Sequence, residues 1–140
     1  MRARVKICCI SSIGEARTAI ELGASALGFV DPMPSGPGVI EDRLIREIAG
    51  KVPPPIGTFL LTSETSAAEN IRHHQRTHTN TIQIVESIYI PVFLAGGLNP
   101  GNARQAIDEV RPFGIDLCSG VRTDGKLDRK KIEEFFKAID

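Results

Sequence analysis

The chain has 140 residues, of which 41% are hydrophobic and 24% charged, and its 17 Lys and Arg residues balance 17 Asp and Glu residues. This length predicts one domain over residues 1–140 that buries roughly two-thirds of its unfolded surface, so folding requires neither a metal nor a disulfide. Zero net charge argues against a broadly basic nucleic-acid-binding surface. No apolar run approaches the ~20 residues of a membrane span, and the N-terminus lacks a signal-peptide core, so we expect a cytoplasmic protein that binds no membrane.

The chain contains three cysteines, Cys8, Cys9 and Cys118. Their number is odd and two of them are adjacent, which is poor geometry for a disulfide framework. We therefore predict three free thiols in a reducing compartment.

The first part of the chain alternates short apolar runs with helical stretches. Ser12 with Glu15, and Ser66 with Glu69, match the capping-box pattern of a helix start. Helices are predicted over residues 12–22, 41–49 and 67–76. Strands are predicted over residues 4–10, 26–30, 56–61 and 81–85, with a loop over 31–38.

The second part begins with an irregularity, because residues 86–90 leave no room for a helix before a fifth strand at 92–95. Asn99 is predicted to cap the next helix, with Pro100 at its first position. A sixth strand follows at 115–117, and a closing helix spans 128–139. The predicted buried residues of these two helices are Ala103, Ala106, Ile107 and Val110, then Ile132, Phe135, Phe136 and Ile139.

Strands that alternate with helices predict a mostly parallel sheet with helices outside it. Two architectures fit this pattern, a (β/α)-barrel and a doubly wound open sheet. No GxGxxG follows the first strand and no Walker A motif is present, so the sequence has no nucleotide-binding fingerprint.

Two glycine-containing loops follow the last two predicted strands, and ligand sites in parallel α/β folds lie at the carboxyl ends of strands. One loop contains Gly96 and Gly97, the other Ser119 and Gly120. Glycines let backbone N–H groups approach an anion, and barrels often bind phosphate at these two loops. The pair predicts a phosphate cradle; the alternative is that the glycines only make tight turns.

Cys8 and Asp116 are further candidates for the site. Cys8 lies towards the end of the first strand, where a thiolate could act as base or nucleophile; the alternative is an inert buried cysteine. Strand alternation predicts that Cys9 faces the opposite way, so that at most one of the two faces the interior. A carboxylate inside the last strand, such as Asp116, needs a partner or a ligand, so it is either structural or site-lining.

His73, His74 and His78 resemble a metal cluster by spacing, but no acidic or cysteine partner is near them in the sequence. We therefore predict a solvated surface and no metal site. The charged stretch from Lys126 to Lys131 is likewise predicted to be a solvated face.

Several segments resemble the phosphoribosylanthranilate isomerase family of tryptophan biosynthesis. Val5-Lys6-Ile7-Cys8, with Ile10-Ser11, is similar to the family's first strand. Its second, seventh and eighth strands resemble residues 23–30, 94–100 and 111–121, and Gly125-Lys126 with Asp128 resembles the approach to its last helix. The similarity covers most of the chain at both ends.

The resemblance implies a TIM (β/α)-barrel that catalyses the Amadori rearrangement of N-(5-phosphoribosyl)anthranilate without a cofactor. A general acid protonates the furanose ring oxygen, and a general base removes the C2′ proton. The family's base is a cysteine that corresponds to Cys8. Its phosphate-binding backbone corresponds to Gly96, Gly97, Ser119 and Gly120, beside which Asp116 would contact the phosphorylated small-molecule substrate.

The sequence also departs from the family. The family's fifth and sixth β/α units have no counterpart near Glu86 to Pro91. The family's general acid, an aspartate at the end of its sixth strand, therefore has no counterpart either. The loop after the second strand, Ser35 to Gly38, lacks the arginine expected for the anthranilate carboxylate. Cys9 replaces a glycine, and Val85 occupies a histidine position.

About six parallel strands cannot close as an eight-stranded barrel usually does. Three explanations fit: an omitted internal stretch of a longer protein, a deletion whose open edges are buried in a homo-oligomer, or a smaller barrel or open sheet.

The sequence leaves three hypotheses for the function. The first is an isomerase with Cys8 as base, the second a non-catalytic or differently catalytic binder of a phosphorylated small molecule, and the third a structural fragment without a ligand.

Overall fold

The computed structural model describes residues 4–31, 38–64, 66–84 and 93–140. The helices are α1 (Ile13–Glu21), α2 (Asp42–Ala49), α3 (Ala67–Thr77), α4 (Ala103–Val110) and α5 (Arg129–Ile139). The strands are β1 (Arg4–Ile7), β2 (Ala26–Val30), β3 (Gly57–Thr62), β4 (Thr81–Ile84), β5 (Phe93–Ala95), β6 (Gly114–Leu117), β7 (Arg122–Thr123) and β8 (Lys126–Leu127). A 3₁₀ turn, Ser119–Val121, follows β6.

Six of these strands form one parallel sheet in the order β4-β3-β2-β1-β6-β5. In register, Lys6 of β1 lies opposite Ala26 of β2 and Asp116 of β6. This is the cyclic strand order of a barrel opened between β4 and β5, because the chain returns from β5 through β6 to β1. The prediction of an incomplete (β/α)-barrel with six parallel strands and outer helices is therefore confirmed, and the doubly wound alternative is excluded.

The main core lies between the sheet and its helices, because alternate strand residues face outwards. Its fully buried members include Leu27, Phe29, Ile45, Ile115 and Phe135. The predicted apolar face of the closing helix is buried at all four positions. The prediction for Val110 is wrong, because this last residue of α4, just before the left-handed Arg111, is 57% exposed.

Side-chain caps begin three helices much as the sequence predicts. Ser12 accepts a hydrogen bond from the Glu15 amide and Ser66 from that of Glu69, while Asp128 caps α5. The prediction for Asn99 is wrong. Its side chain accepts from the Gly101 amide at 2.9 Å, which makes a turn, and α4 starts only after Asn102.

Two local differences from the predictions come from backbone conformation. β1 ends at Ile7 rather than at residue 10, because Cys9 has a left-handed φ of 62°. The β7–β8 hairpin was not predicted, although Asp124-Gly125 is a typical two-residue hairpin turn, with φ values of 50° and 76°. Lys126 thus lies in a strand, still exposed. The predicted loop at 32–37, Val85, Val92 and the junction at 86–91 lie outside the described residues.

Candidate active site

A cavity of about 130 Å³ lies at the carboxyl ends of β1, β5 and β6. The structure brings together around it all six residues that the sequence singled out: Cys8, Gly96, Gly97, Asp116, Ser119 and Gly120. The remaining lining residues are Ala95, Leu98, Leu117 and Cys118. The side chains of Cys8 and Asp116 and the two glycine-containing loops therefore line one cavity.

The two loops need glycine for reasons of backbone geometry. Gly96 and Gly97 have φ values of 98° and 62°, in the left-handed region that other residues rarely adopt. A Cβ atom at Gly120 would overlap the carbonyl oxygen of Leu98, so the two loops lie in direct contact. This close approach is the arrangement expected of a backbone cradle for an anion.

Cys8 is 5% exposed, and its amide donates to the Leu117 carbonyl at 2.7 Å, which fixes it beside β6. The pKa of the Cys8 thiol is lowered, chiefly by a hydrogen bond with Cys9. Burial opposes this effect, and the nearby positive charge of Lys6 adds to it. A lowered pKa increases the thiolate fraction at neutral pH, which is the form that acts as a base.

The prediction that Cys9 faces away from Cys8 is wrong. Both pack with Val30 in one cluster, because the left-handed turn at Cys9 ends the alternation of β1. The Cys9 and Cys118 sulfur atoms lie 2.8 Å apart, and all three cysteines are free thiols, as predicted. The hydrogen bond from Cys9 is the main cause that lowers the pKa of Cys118 to about 7.

Asp116 has both a partner and a place in the cavity wall. Its Oδ2 lies 2.5 Å from Nζ of Lys6, whose side chain is fully buried, while its Oδ1 is buried with no hydrogen-bond partner among the described residues. Burial raises the pKa of Asp116, and the attraction of Lys6 offsets only part of that rise. Asp116 therefore has both roles left open by the sequence, because it is paired with Lys6 and also lines the cavity.

Sequence reasoning missed Lys6 and Arg122. Lys6 could have been found, because it lies two residues before Cys8 in the predicted strand 4–10, where strand alternation places both on the same side. Arg122 could not, because its partners are far away in the chain: its guanidinium donates to the carbonyls of Cys8 and Cys9 and to the carboxylate of Glu15. It thereby holds the end of β1 in place.

Gly28 of β2 gives space to the buried side chains of β1. A Cβ atom there would lie 2.9 Å from Cys8 Sγ and 3.0 Å from Lys6 Cε. We expect Gly28→Ala to displace the Cys8 sulfur and to destabilise the fold by about 1–3 kcal/mol through overpacking. Urea unfolding measures this change. Gly14→Ala in α1 is the control, since its Cβ would meet only Ser12 Oγ at 3.8 Å; equal stability of both variants would contradict the prediction.

The ion pair between Glu15 and Arg122 predicts a pH-dependent stability. Burial raises the pKa of Glu15, but hydrogen bonds from Arg122 and from two backbone amides outweigh it, and the pKa is lowered overall. A carboxyl group with a lowered pKa stabilises the fold above its unfolded pKa of about 4.3, and this contribution is lost as the pH falls through the folded value.

We therefore expect Glu15→Gln to lower the free energy of unfolding by roughly 2 kcal/mol at pH 7, and by much less at pH 3. Urea unfolding at both pH values measures the difference. Glu21→Gln is the control, because the Glu21–Arg129 pair is more than half exposed and should contribute little. An equal loss at the two pH values would show that the carboxylate charge is unimportant.

The prediction of a solvated histidine surface is wrong for His73, which is 4% exposed. Its Nε2 lies 2.8 Å from Asp42 Oδ1 and 3.4 Å from Asp31 Oδ1, and Arg76 pairs with Asp42. These acidic partners are distant in sequence and were therefore missed. Among the described residues, Asp31, Asp42 and His73 are the one group whose ligand atoms lie close enough together to hold a metal ion. Its carboxylates already contact two basic side chains, so we interpret it as a link between β2, α2 and α3.

The other two histidines do not join this cluster. Helix α3 ends at Thr77, so His78 lies beyond it, exposed and in a left-handed conformation. The four-residue spacing of His74 and His78 therefore does not create a pair of ligands on one helical face.

The fold and the cavity define a protein of the (β/α)-barrel class with six parallel strands in its described part. A sequence profile described as N-(5′-phosphoribosyl)anthranilate isomerase matches residues 73–138. An N-(5′-phosphoribosyl)anthranilate isomerase of Desulforudis audaxviator is 29% identical, with 95% of this chain and 96% of the relative covered. Within the barrel class, the chain thus resembles the phosphoribosylanthranilate isomerases, as the sequence motifs indicate.

Solved structures agree with this family resemblance. A phosphoribosylanthranilate isomerase in complex with reduced 1-(o-carboxyphenylamino)-1-deoxyribulose 5-phosphate is 26% identical, with a TM-score of 0.88 and 98% of both chains covered. The N-(5′-phosphoribosyl)anthranilate isomerase of Pyrococcus furiosus is 25% identical, with a TM-score of 0.85 and the same coverage. The recognition of this family from the sequence is confirmed.

The alignment with the Desulforudis protein extends over 197 positions. Since the chain has 140 residues, at least 57 of those positions face a gap. In the described part of the chain, no helix is both long and apolar enough to cross a membrane.

Proposed function

We propose that the chain is an isomerase of the phosphoribosylanthranilate isomerase type in tryptophan biosynthesis. It would catalyse the Amadori rearrangement of N-(5′-phosphoribosyl)anthranilate, with Cys8 as general base. The observation that carries this proposal is the single cavity that holds Cys8 together with both glycine-containing loops. A small phosphorylated sugar with a carbon acid beside its reacting centre fits that combination.

In this proposal, the backbone around Gly96, Gly97, Ser119 and Gly120 binds the 5′-phosphate and so fixes the sugar. Cys8 takes the C2′ proton as a thiolate, supported by the causes that lower its pKa. The solved relative bound to a reduced, phosphorylated deoxyribulose compound supports a phosphate-bearing ligand of this kind. No cofactor is expected, because proton transfers alone complete the reaction.

The direct test is turnover of N-(5′-phosphoribosyl)anthranilate by the purified chain, followed by chromatography of substrate and product. We expect saturable turnover that inorganic phosphate inhibits competitively. Absence of turnover over the whole neutral pH range would overturn the proposal.

The second candidate is a binder of a phosphorylated small molecule with no catalysis or a different one. The sequence Ser35 to Gly38, which offers no cation for an anthranilate carboxylate, favours it. Calorimetric binding of a pentose 5-phosphate without isomerase turnover would support this candidate over the isomerase.

The single-domain organisation and the apparent loss of two units near residues 86–91 are also proposals. The difference between the 197 aligned positions and the 140 residues of the chain supports a loss of this size. An intact mass near 15.2 kDa would mean that the deletion is real, and a much larger mass would restore the missing units. We also propose that the open sheet edges at β4 and β5 are covered in a homo-oligomer, which light scattering would detect. A cytoplasmic location, where free thiols persist, stays a prediction.

A further inference from the structure

The proposed isomerase has a base and a phosphate cradle but no assigned proton donor. The cavity wall contains one carboxyl group whose hydrogen-bonding capacity is only half used, that of Asp116. Its Oδ2 is paired with Lys6, and its Oδ1 is buried without a partner among the described residues. A buried polar atom without a partner is costly, so its persistence calls for an explanation such as a ligand.

We propose that Asp116 is the general acid of this site, and that its carboxyl group protonates the furanose ring oxygen. The inference rests on the proposed isomerase function and deepens it. It assigns to β6 the role that the resemblance gives to an aspartate of the sixth family strand, for which the sequence has no counterpart.

The register of the sheet places acid and base side by side. Lys6 lies opposite Asp116, Ile7 lies opposite Leu117, and the Cys8 amide donates to the Leu117 carbonyl. Asp116 is therefore one layer deeper than Cys8, on the neighbouring strand. Both line the cavity that the glycine-containing loops enclose, so one sugar anchored by its phosphate could meet both groups.

The surroundings of Asp116 suit a proton donor. Burial favours the neutral carboxyl group, which is why the pKa of Asp116 is raised. The ammonium group of Lys6, 2.5 Å away, would stabilise the carboxylate that forms when the proton leaves. A donor needs both properties: a raised pKa, which increases the fraction of the carboxyl group that carries a proton, and a nearby cation that stabilises the carboxylate once the proton has left.

Other acidic groups near the cavity are less suitable. The Cys118 sulfur is already in hydrogen-bond contact with the Cys9 sulfur, 2.8 Å away. Glu15 is bonded to Arg122, and Asp42 is bonded to Arg76 and His73 outside the cavity lining. Among the described residues that line the cavity, Asp116 has the one carboxyl group.

The reaction then balances without any other reactant. Asp116 gives its proton to the ring oxygen as the bond from this oxygen to C1′ breaks, and the nitrogen lone pair forms a C1′=N iminium bond. Cys8 removes the C2′ proton, whose electron pair forms a C1′=C2′ enol as the iminium becomes an amine. The enol then becomes the ketone: C1′ takes the proton from Cys8, and the C2′ hydroxyl proton returns to Asp116.

The test is Asp116→Asn, a substitution of nearly equal shape. We expect kcat to fall by about 10²–10⁴. With ring opening then limiting the rate, the kinetic isotope effect of substrate deuterated at C2′ should vanish. Binding of reduced 1-(o-carboxyphenylamino)-1-deoxyribulose 5-phosphate, measured by calorimetry, should stay within about threefold of that of the unmodified chain. Asp116→Glu, which keeps the carboxyl group, should recover part of the activity.

A merely structural role would lower kcat without abolishing the isotope effect, and that outcome would overturn the inference. So would an Asp116→Asn variant that retains more than about a tenth of the activity. If Asp116→Asn does not fold, Lys6→Met with Asp116→Leu removes both charges of the pair and carries the same kinetic test. If the unmodified chain shows no turnover, the proposed function fails, and this inference fails with it. That outcome is distinguishable from a failure of this inference alone, because the unmodified chain is assayed before any substitution is made.

Discussion

Cys8→Ser is expected to lower the kcat for N-(5′-phosphoribosyl)anthranilate by about 10²–10⁴, with little change in thermal stability. The serine side chain is similar in size to cysteine, so the packing against Val30 is retained. A hydroxyl group, however, ionises far less readily than a thiol, and the causes that lower the pKa of Cys8 cannot make a comparable base of it. The expected loss is thus one of chemistry rather than of fold.

Steady-state kinetics and thermal unfolding of the same preparations test this prediction. Cys118→Ser is a matched control, because it makes the same atomic change in the same cluster but at a residue without the proposed role of base. We expect it to lose far less activity than Cys8→Ser. Cys8→Ser with nearly full turnover would remove Cys8 from the mechanism, while the phosphate cradle would remain untested by that result.

The carbon–hydrogen isotope effect separates the two halves of the proposed mechanism. With Cys8→Ser, removal of the C2′ proton becomes the slowest step, so substrate deuterated at C2′ should show the full kinetic isotope effect of that step. With Asp116→Asn it should vanish. Opposite responses of two residues in one cavity would be hard to explain by a general loosening of the site.

Much of the fold could be predicted from local patterns in the sequence. β2 matches its predicted range, and the serines that cap α1 and α3 were identified, because these signals depend on residues within a few positions of one another. The choice of a barrel over a doubly wound sheet was different. The alternation of strands and helices left both open, and the family motifs decided between them.

The errors have a common physical origin in contacts or conformations that no short segment contains. His73 was assigned to the surface because Asp31 and Asp42 approach it only in the folded chain. The prediction for Cys9 is wrong because the strand pattern favours continuation of β1, whereas Cys9 has a left-handed backbone conformation that ends the alternation. The candidate site was located from strand ends, but its electrostatics depend on Lys6 and Arg122, whose partners lie on other strands and helices.

Lys6→Met is expected to be the most destabilising of the substitutions considered, with a loss of about 3–5 kcal/mol in the free energy of unfolding at neutral pH. Lys6 is fully buried at the centre of the sheet, and methionine retains most of its apolar packing. What it removes is the charge that compensates the buried Asp116 carboxylate. The cost therefore comes from the charge left behind.

The pH dependence follows from the direction of the Asp116 shift. Burial raises the folded-state pKa of this carboxyl group, so its ionised form destabilises the fold relative to the unfolded chain. In Lys6→Met this penalty is larger, and it is relieved as the pH falls through the folded pKa, because the neutral carboxyl group needs no cation. The loss of stability should be largest at pH 7 and clearly smaller at pH 5.

A double-mutant cycle with Asp116→Leu completes the test by urea unfolding. Removing both charges leaves no unpaired group, so Lys6→Met with Asp116→Leu should be considerably more stable than Lys6→Met alone. Additive losses would show that the two side chains do not interact, contrary to their 2.5 Å separation. Recovery of stability without recovery of turnover would mean that the pair is dispensable for the fold and is kept for the chemistry of the cavity.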